Sequence, residues 1–280
     1  MAASGKHPIT MSNASVPAVY EVEIIDELGR RKPTFIPGER SLTIYLDKRE
    51  VVTLMTLGSA PEALVLGYLR NQRLVESPAD IESIQVDWET DSAAVKTRRS
   101  TVDIDAITSK RVVTTGCGQG TMFGGLMEDM AQIRLSEGPK LHQAAIVDLL
   151  EQIRAHETIY KKAGSVHACA VFERDGDNKA RLIHLIEDVG RHNAVDSISG
   201  LMWLVNRPGE NLIFFTTGRL TSEMVIKGAQ MGIPFLLTRS GVTQMGLELA
   251  RKTHLTLLSR CSGKHFEIYN APERVVFQSS

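Results

Sequence analysis

"NLIFFTTGRLTSEMVIKGAQMGIPFLLT", residues 211–238, decides the fold. "NLIFFTT" is a short apolar run ended by Gly218, the mark of a buried strand. "TSEMVIKGAQMG" has a helical pattern, and "IPFLLT" is a second strand. The surroundings repeat the alternation. "SVHACAVF" and "RLIHLIED" are strands, and "HNAVDSISGLMWLVN" and "TQMGLELARKT" are helices. "LTLLS" and "FEIY" close as strands. Such alternation implies a mostly parallel sheet covered by helices on both faces, with ligand sites at the carboxyl ends of its strands. "QAAIVDLLEQIRAHETIYKKAG", 143–164, reads as one long amphipathic helix, with Ile146, Leu149, Leu150, Ile153 and Ile159 near one face and Gly164 as its cap.

The amino-terminal part is strand-rich. "SLTIYLD" (41–47) alternates Leu42, Ile44 and Leu46 and forms a hairpin with "REVVTLMT". "APEALVLGYLRNQRLV" (60–75) is a helix starting at Pro61, and "IESIQVDWE" (81–89) is a strand. "TDSAAVKTRRSTVDID" is read as a polar loop or edge hairpin. The expected organisation is a disordered lead over 1–18, an α+β subdomain over 19–110 and an α/β domain over 111–280.

The chain has 280 residues, 42% apolar, with a net charge of -1. That balance argues against a nucleic-acid coat or a polybasic membrane anchor. No apolar run approaches the roughly 18 residues of a membrane span. Three cysteines form no disulfide framework and suit a reducing cytoplasm.

One of the three, Cys117, sits in "TTGCGQGT" (114–121) among Gly116, Gly118 and Gly120. Glycines leave the sulfur unshielded, so Cys117 reads as reactive; a buried packing thiol is the alternative, and Cys169 in "VHACAVF" fits that better. "EDVGRHNAVD" (187–196) packs Arg191 and His192 among acids and amides between a strand and a helix. Gly218 with Arg219, and Arg239 in "TRSGVTQ", stand at the next two strand ends. Arginines at three consecutive strand ends suggest one groove for a ligand with several phosphates. "RCSGKH" adds Arg260, Cys261, Ser262, Gly263, Lys264 and His265. "VHAC" lacks the glutamate and the following P-C-x-x-C of zinc deaminases, so no metal is expected.

"TTGCGQGT", "GSVHACAVF", "EDVGRHNAVDSISG", "TTGRLTSEMVIKGAQMGIPFLLTRS" and "LTLLSR" occur in the order found in FdhD-type formate dehydrogenase accessory proteins, and the chain resembles that family over about residues 20–270. The resemblance implies a mixed sheet flanked by helices, similar to cytidine deaminases without their zinc, and a homodimer. It implies a sulfur carrier that receives sulfur from a cysteine desulfurase on Cys117. The sulfur passes to the molybdenum bis(molybdopterin guanine dinucleotide) cofactor, bound through its GDP-like part, before insertion into formate dehydrogenase. "RCSGKH" then aligns with the cofactor-binding segment, although the family's pattern there is more aromatic. His167, His192 or an arginine could lower the pKa of Cys117. Many members carry a C-x-x-C pair where this chain has Gly120. Two other readings stand beside the carrier: a cofactor-binding chaperone that uses Cys117 only as a contact, and a deaminase-like hydrolase, for which the sequence offers neither metal motif nor general base.

Overall fold

The computed structural model describes residues 9–98, 111–113, 121–123, 133–175 and 179–278; Cys117 and its flanking glycines lie outside them. The chain runs through β1 (Thr10–Met11), β2 (Val19–Ile25), β3 (Arg31–Pro37), β4 (Arg40–Leu46), β5 (Arg49–Thr56), α1 (Pro61–Asn71), β6 (Ile81–Asp87) and β7 (Ser92–Thr97). The strands β8 (Arg111–Val113) and β9 (Thr121–Phe123) pair antiparallel on either side of the cysteine segment. Then follow β10 (Leu141–His142), α2 (Gln143–Ala155), α3 (Ile159–Ala163), β11 (His167–Asp175), β12 (Lys179–Asp188), α4 (Arg191–Leu204) and β13 (Leu212–Thr216). The chain continues with α5 (Ser222–Gln230), β14 (Phe235–Thr238), α6 (Gln244–Thr253), β15 (Thr256–Ser262), β16 (His265–Asn270) and β17 (Val275–Val276), which pairs with β10.

The protein is mixed α/β. Its larger sheet has the order β12-β11-β13-β14-β15-β16. Only the β13–β14 and β14–β15 ladders are parallel, so the sheet is mixed, not mostly parallel. The connections explain this. Parallel neighbours need a crossover of a dozen or more residues, but β11 and β12 are joined by residues 176–178 alone, and β15 and β16 by Gly263 and Lys264. Gly263 takes φ +60 in that turn.

Alternation along β13 sends Phe214 to one face and Phe215 to the other. Phe214 joins Val171 and Leu236 under α4, α5 and α6, while Phe215 joins Phe172 and Phe235 under α2. The smaller sheet, β1-β6-β7-β4-β5, packs around α1 through Leu42, Ile44, Leu64, Leu69 and Ile84.

Three expectations change. The helix expected over 143–164 is two helices. His156 ends α2 in extended backbone, and Thr158 caps α3 by accepting from Lys161 N. The polar stretch 91–98 contains β7, an interior strand; Ala93 and Val95 are buried, but small residues between charged ones hid the alternation. The lead is held from residue 9 onward: β1 pairs with β6, Glu62 accepts from Ser12 Oγ and Ala14 N, and Trp88 donates to Ala14 O.

The two sheets meet where α1 crosses α4. A Cβ on Gly67 would lie 1.7 Å from Asp196 O, and one on Gly200 would lie 2.0 Å from Ala63 O. The backbones touch, and no side chain larger than hydrogen fits. Gly200→Ala is therefore expected to cost at least about 3 kcal/mol, read as a lowered midpoint in urea unfolding. Gly241→Ala is the control. Its backbone needs no positive φ and an added Cβ would meet nothing nearer than 3.9 Å, so its cost falls well below that of Gly200→Ala.

Candidate functional site

The carboxyl ends of β13 and β14 open onto two cavities. The first, about 300 Å³, lies on the α2 side. Its floor is apolar, from Leu150, Ile153, Val166, Leu185 and Phe215, and its rim carries Arg154, Lys161, Arg239 and Tyr160. The second, about 230 Å³, lies at the amino-terminal ends of α5 and α6. Arg191, Arg219, Thr221, Ser222, Glu223, Thr243 and Met245 line it. Thr217 lines the first and Arg219 the second, so the same strand end serves both.

The arginines predicted to share one groove are thus divided. Arg239, with Cys261, Ser262 and Gly263, belongs to the first cavity; Arg191 and Arg219 belong to the second. Gly218 makes room for Arg191, since an added Cβ would sit 3.0 Å from Arg191 Cδ. Arg260 lines neither cavity. Its backbone N donates to Ser240 O, and its side chain is exposed. Lys264 and His265 lie exposed at the β15–β16 turn.

The "EDVGRHNAVD" segment does three jobs. Glu187 turns back to accept from Ile159 N and, at 3.1 Å, from Tyr160 N, the first amides of α3. Asp188 is buried and accepts from Thr56 Oγ1, Leu57 N, Gly190 N and Asn193 Nδ2. Burial raises its pKa while these four donors oppose the rise. Asn193 also donates to Met55 O, so the end of β5 is knotted to the start of α4. Asp196 accepts from Asn71 Nδ2 at 2.7 Å and pairs with the buried Lys227 at 2.8 Å. Lys227 also lies 3.7 Å from Glu223. Burial alone would lower the Lys227 pKa, but the Asp196 and Glu223 carboxylates outweigh it and hold the pKa above the lysine value.

His192 lines neither cavity. Burial, with Lys227 and Arg191 nearby, pushes it down to about 2. It is a neutral imidazole at physiological pH, so its 3.4 Å approach to Glu223 is not an ion pair. His167 is lowered by burial and then by Arg191 and Arg219. Neither histidine supplies the positive charge that would depress a thiol pKa; the arginines are the fixed cations here.

Cys169 is fully buried, with its Sγ 3.4 Å from Thr216 Oγ1, and burial pushes its pKa up to about 12. Cys261 lines the first cavity but is almost wholly buried, and burial pushes it up to about 12 as well. Among the described residues, no three His, Cys, Asp or Glu side chains group as a metal site.

Sequence reasoning missed Tyr160, buried Lys227 and the cap made by Glu187. Lys227 left a signal, a lysine inside the apolar run "MVIKGA". Tyr160 left none, because it was counted inside a longer helix.

The fold and these strand-end cavities define an α/β protein with paired cationic cavities beside a mixed sheet. The chain belongs to the FdhD/NarQ family, whose model matches residues 37–276. Similar proteins include the sulfur carrier protein FdhD of Saccharolobus solfataricus, 30% identical over 259 residues that cover 91% of this chain and 96% of that protein. The sulfur carrier protein FdhD of Listeria innocua is 27% identical over 242 residues, 86% of this chain and 91% of that protein. A crystal structure from Desulfotalea psychrophila, described as a candidate formate dehydrogenase accessory protein, superposes with a TM-score of 0.71. It is 26% identical and covers 94% of this chain and 100% of its own.

Burial of Cys169 and Cys261 has a direct consequence for thiol reactivity. Titration of native protein with a disulfide reagent at pH 8 is expected to give one rapid thiol, and all three in denaturant. Native Cys117→Ser protein is expected to give no rapid thiol.

Proposed function

We propose that this chain is a sulfur carrier for formate dehydrogenase, with Cys117 as the sulfur-bearing residue. The observation that carries the reading is the state of the other two cysteines. Cys169 is sealed in the core, and Cys261, though it lines the first cavity, is only 1% exposed; burial pushes both thiols up to about 12, so neither forms a useful thiolate at neutral pH. Within a family whose relatives bear the name sulfur carrier, the duty falls to the glycine-flanked Cys117.

The Cys117 thiolate attacks the outer sulfur of a persulfide on a cysteine desulfurase. A new S–S bond forms at Cys117, the donor's S–S bond breaks, and the donor cysteine leaves as a thiolate. Cys117 then delivers its outer sulfur to the molybdenum bis(molybdopterin guanine dinucleotide) cofactor, the substrate of this step: the S–S bond at Cys117 breaks, Cys117 is released as a thiolate, and the reduced metal centre of that substrate supplies the two electrons that take the sulfur to sulfide. With Gly120 in place of a second loop cysteine and both other thiols buried, the sulfur travels as a persulfide on a single residue. The cofactor's guanine nucleotide part is assigned to the strand-end cavities. Thr217 and Arg219 are two residues apart, so one nucleotide can reach both cavities across about 7 Å. The carrier works in the cytoplasm as a homodimer, which brings two nucleotide sites into one symmetric assembly. The deaminase-like layout of the larger sheet belongs to this same reading, as a framework used without zinc.

Two measurements test it. Wild type, Cys169→Ser and Cys261→Ser are expected to gain the mass of one sulfur atom after incubation with a desulfurase and cysteine, and Cys117→Ser is expected to gain none. Cells carrying Cys117→Ser are expected to lose formate dehydrogenase activity while the variant still folds. Full activity in those cells would favour the cofactor chaperone, in which Cys117 is only a contact. Separately, Arg219→Ala is expected to weaken GDP binding in calorimetry by roughly tenfold, the loss of one charge-assisted contact; unchanged affinity would remove Arg219 from the site.

A further inference from the structure

The first cavity has a chemistry that its charged rim alone does not explain. Its floor is wholly aliphatic and aromatic, and the one carboxylate in its wall, Glu187, is turned away from any ligand because both oxygens accept backbone N–H groups of α3. What remains at the mouth is Tyr160, 48% exposed, with the Arg239 guanidinium 5.3 Å from its ring centroid. An apolar slot, an aromatic ring and cations together fit a flat ring that carries a negatively charged tail.

Tyr160 cannot hold that place by itself. It belongs to α3, a helix of five residues, and one turn of helix has no stability of its own in water. Three ties fix it: the Thr158 cap, Lys162 with its Nζ 4.0 Å from the Phe35 ring centroid, and Glu187. Of these, only Glu187 binds the amide of Tyr160 itself. Glu187 is 7% exposed and stands near the end of β12 in the rigid sheet, so it references the Tyr160 backbone to the strand ends that carry Thr217 and Arg239.

We propose that Tyr160 is the stacking residue for the ring of the ligand in the first cavity, and that Glu187 is a positioning residue that acts through Tyr160 by latching α3 to the sheet. This deepens the nucleotide reading of the site and rests on it. The ring goes to the Tyr160 side, and the phosphates go toward the arginines. One face of Tyr160 already rests against Arg239, which pre-orients both groups before any ligand arrives.

The test uses full-length protein with GDP and inorganic pyrophosphate as separate calorimetric probes. Tyr160→Ala is expected to weaken GDP binding about tenfold, within the range for losing one base-stacking contact, and to leave pyrophosphate binding unchanged. Tyr160→Phe, which keeps the ring, is expected to bind GDP as wild type does. Glu187→Gln presents an amide NH₂ to donors and is expected to weaken GDP binding in the same direction. In a Tyr160→Ala background Glu187→Gln is expected to add nothing, which a purely structural effect would not reproduce. Should Glu187→Gln fail to fold, Ile159→Pro removes one of the latched amides at a first helical position that accepts proline, and the same non-additivity is expected. Wild-type affinity for GDP in Tyr160→Ala overturns the stacking assignment alone. Additive losses overturn the role of Glu187. Failure of wild type to bind GDP overturns this inference together with the nucleotide reading, while the Cys117 sulfur adduct is measured independently of all of them.

Discussion

Gly67 and Gly200 let two helices touch backbone to backbone, and the remainder of the protein is arranged around that contact. An α1–α4 crossing this close leaves no room for an apolar layer between the helices. What fills the flanks is polar: Asn71 reaching Asp196, Ser199 donating to Asn71, and Arg70 donating to Ser199 O. Such groups are costly to bury without partners, and here they partner one another across the seam between the two sheets. Lys227 from α5 completes the group by pairing with Asp196. A buried ion pair of this kind is weak evidence for net stability, because desolvation offsets much of its attraction. Its geometric effect is firmer: it fixes the rotation of α5 relative to α4, and so sets where the residues at the amino-terminal end of α5 stand.

Asp188, eight residues before Asp196 at the end of β12, performs a matching task. Its oxygens gather donors from the end of β5 and from the start of α4. The strand ends beneath the two cavities are thereby tied to both sheets at once. Among the residues that line the second cavity, Arg191 follows Asp188 by three positions and Glu223 stands 3.7 Å from Lys227. Rigid support beneath short loops is the arrangement that binding sites require.

Most of the strand and helix pattern of the larger sheet was legible in the sequence, because each of its elements carries a simple periodicity. "LIFFT" and "FLLT" are uninterrupted apolar runs, and the helices between them are amphipathic. Direction was less legible. The brevity of the β11–β12 and β15–β16 connections marks both pairs as antiparallel, but an eye drawn to strand–helix alternation passes over it. β7 escaped because alanines and charges blunt the period of two. The break between α2 and α3 escaped for a deeper reason. The one local mark in "RAHETIYKK" is Thr158, which caps α3; the rest of the break involves Glu187, distant in sequence, which accepts from Ile159 N and Tyr160 N. The site was legible in the same proportion. Arginines at strand ends are a property of local sequence, whereas their division between two faces of the sheet depends on packing.

The cysteines show the same division between local pattern and folded context. Cys169 lies in an apolar strand, and its inertness is readable from its neighbours. Cys261 is flanked by Arg260 and Ser262, which suggest exposure, yet the register shift between Ser259 and Ser262, with Arg260 at φ 53, sets Cys261 on the same core face as Leu258 while Arg260 and Ser262 face out. A thiol at such a position is held as a neutral packing group, and the pKa of about 12 is the measure of how far burial disfavours its ionised form. The fold therefore keeps two of its three thiols out of any exchange chemistry by the same device, a place in the sheet. On the proposed carrier reading that silence matters, because a second accessible thiolate would compete for the persulfide and close it into a disulfide.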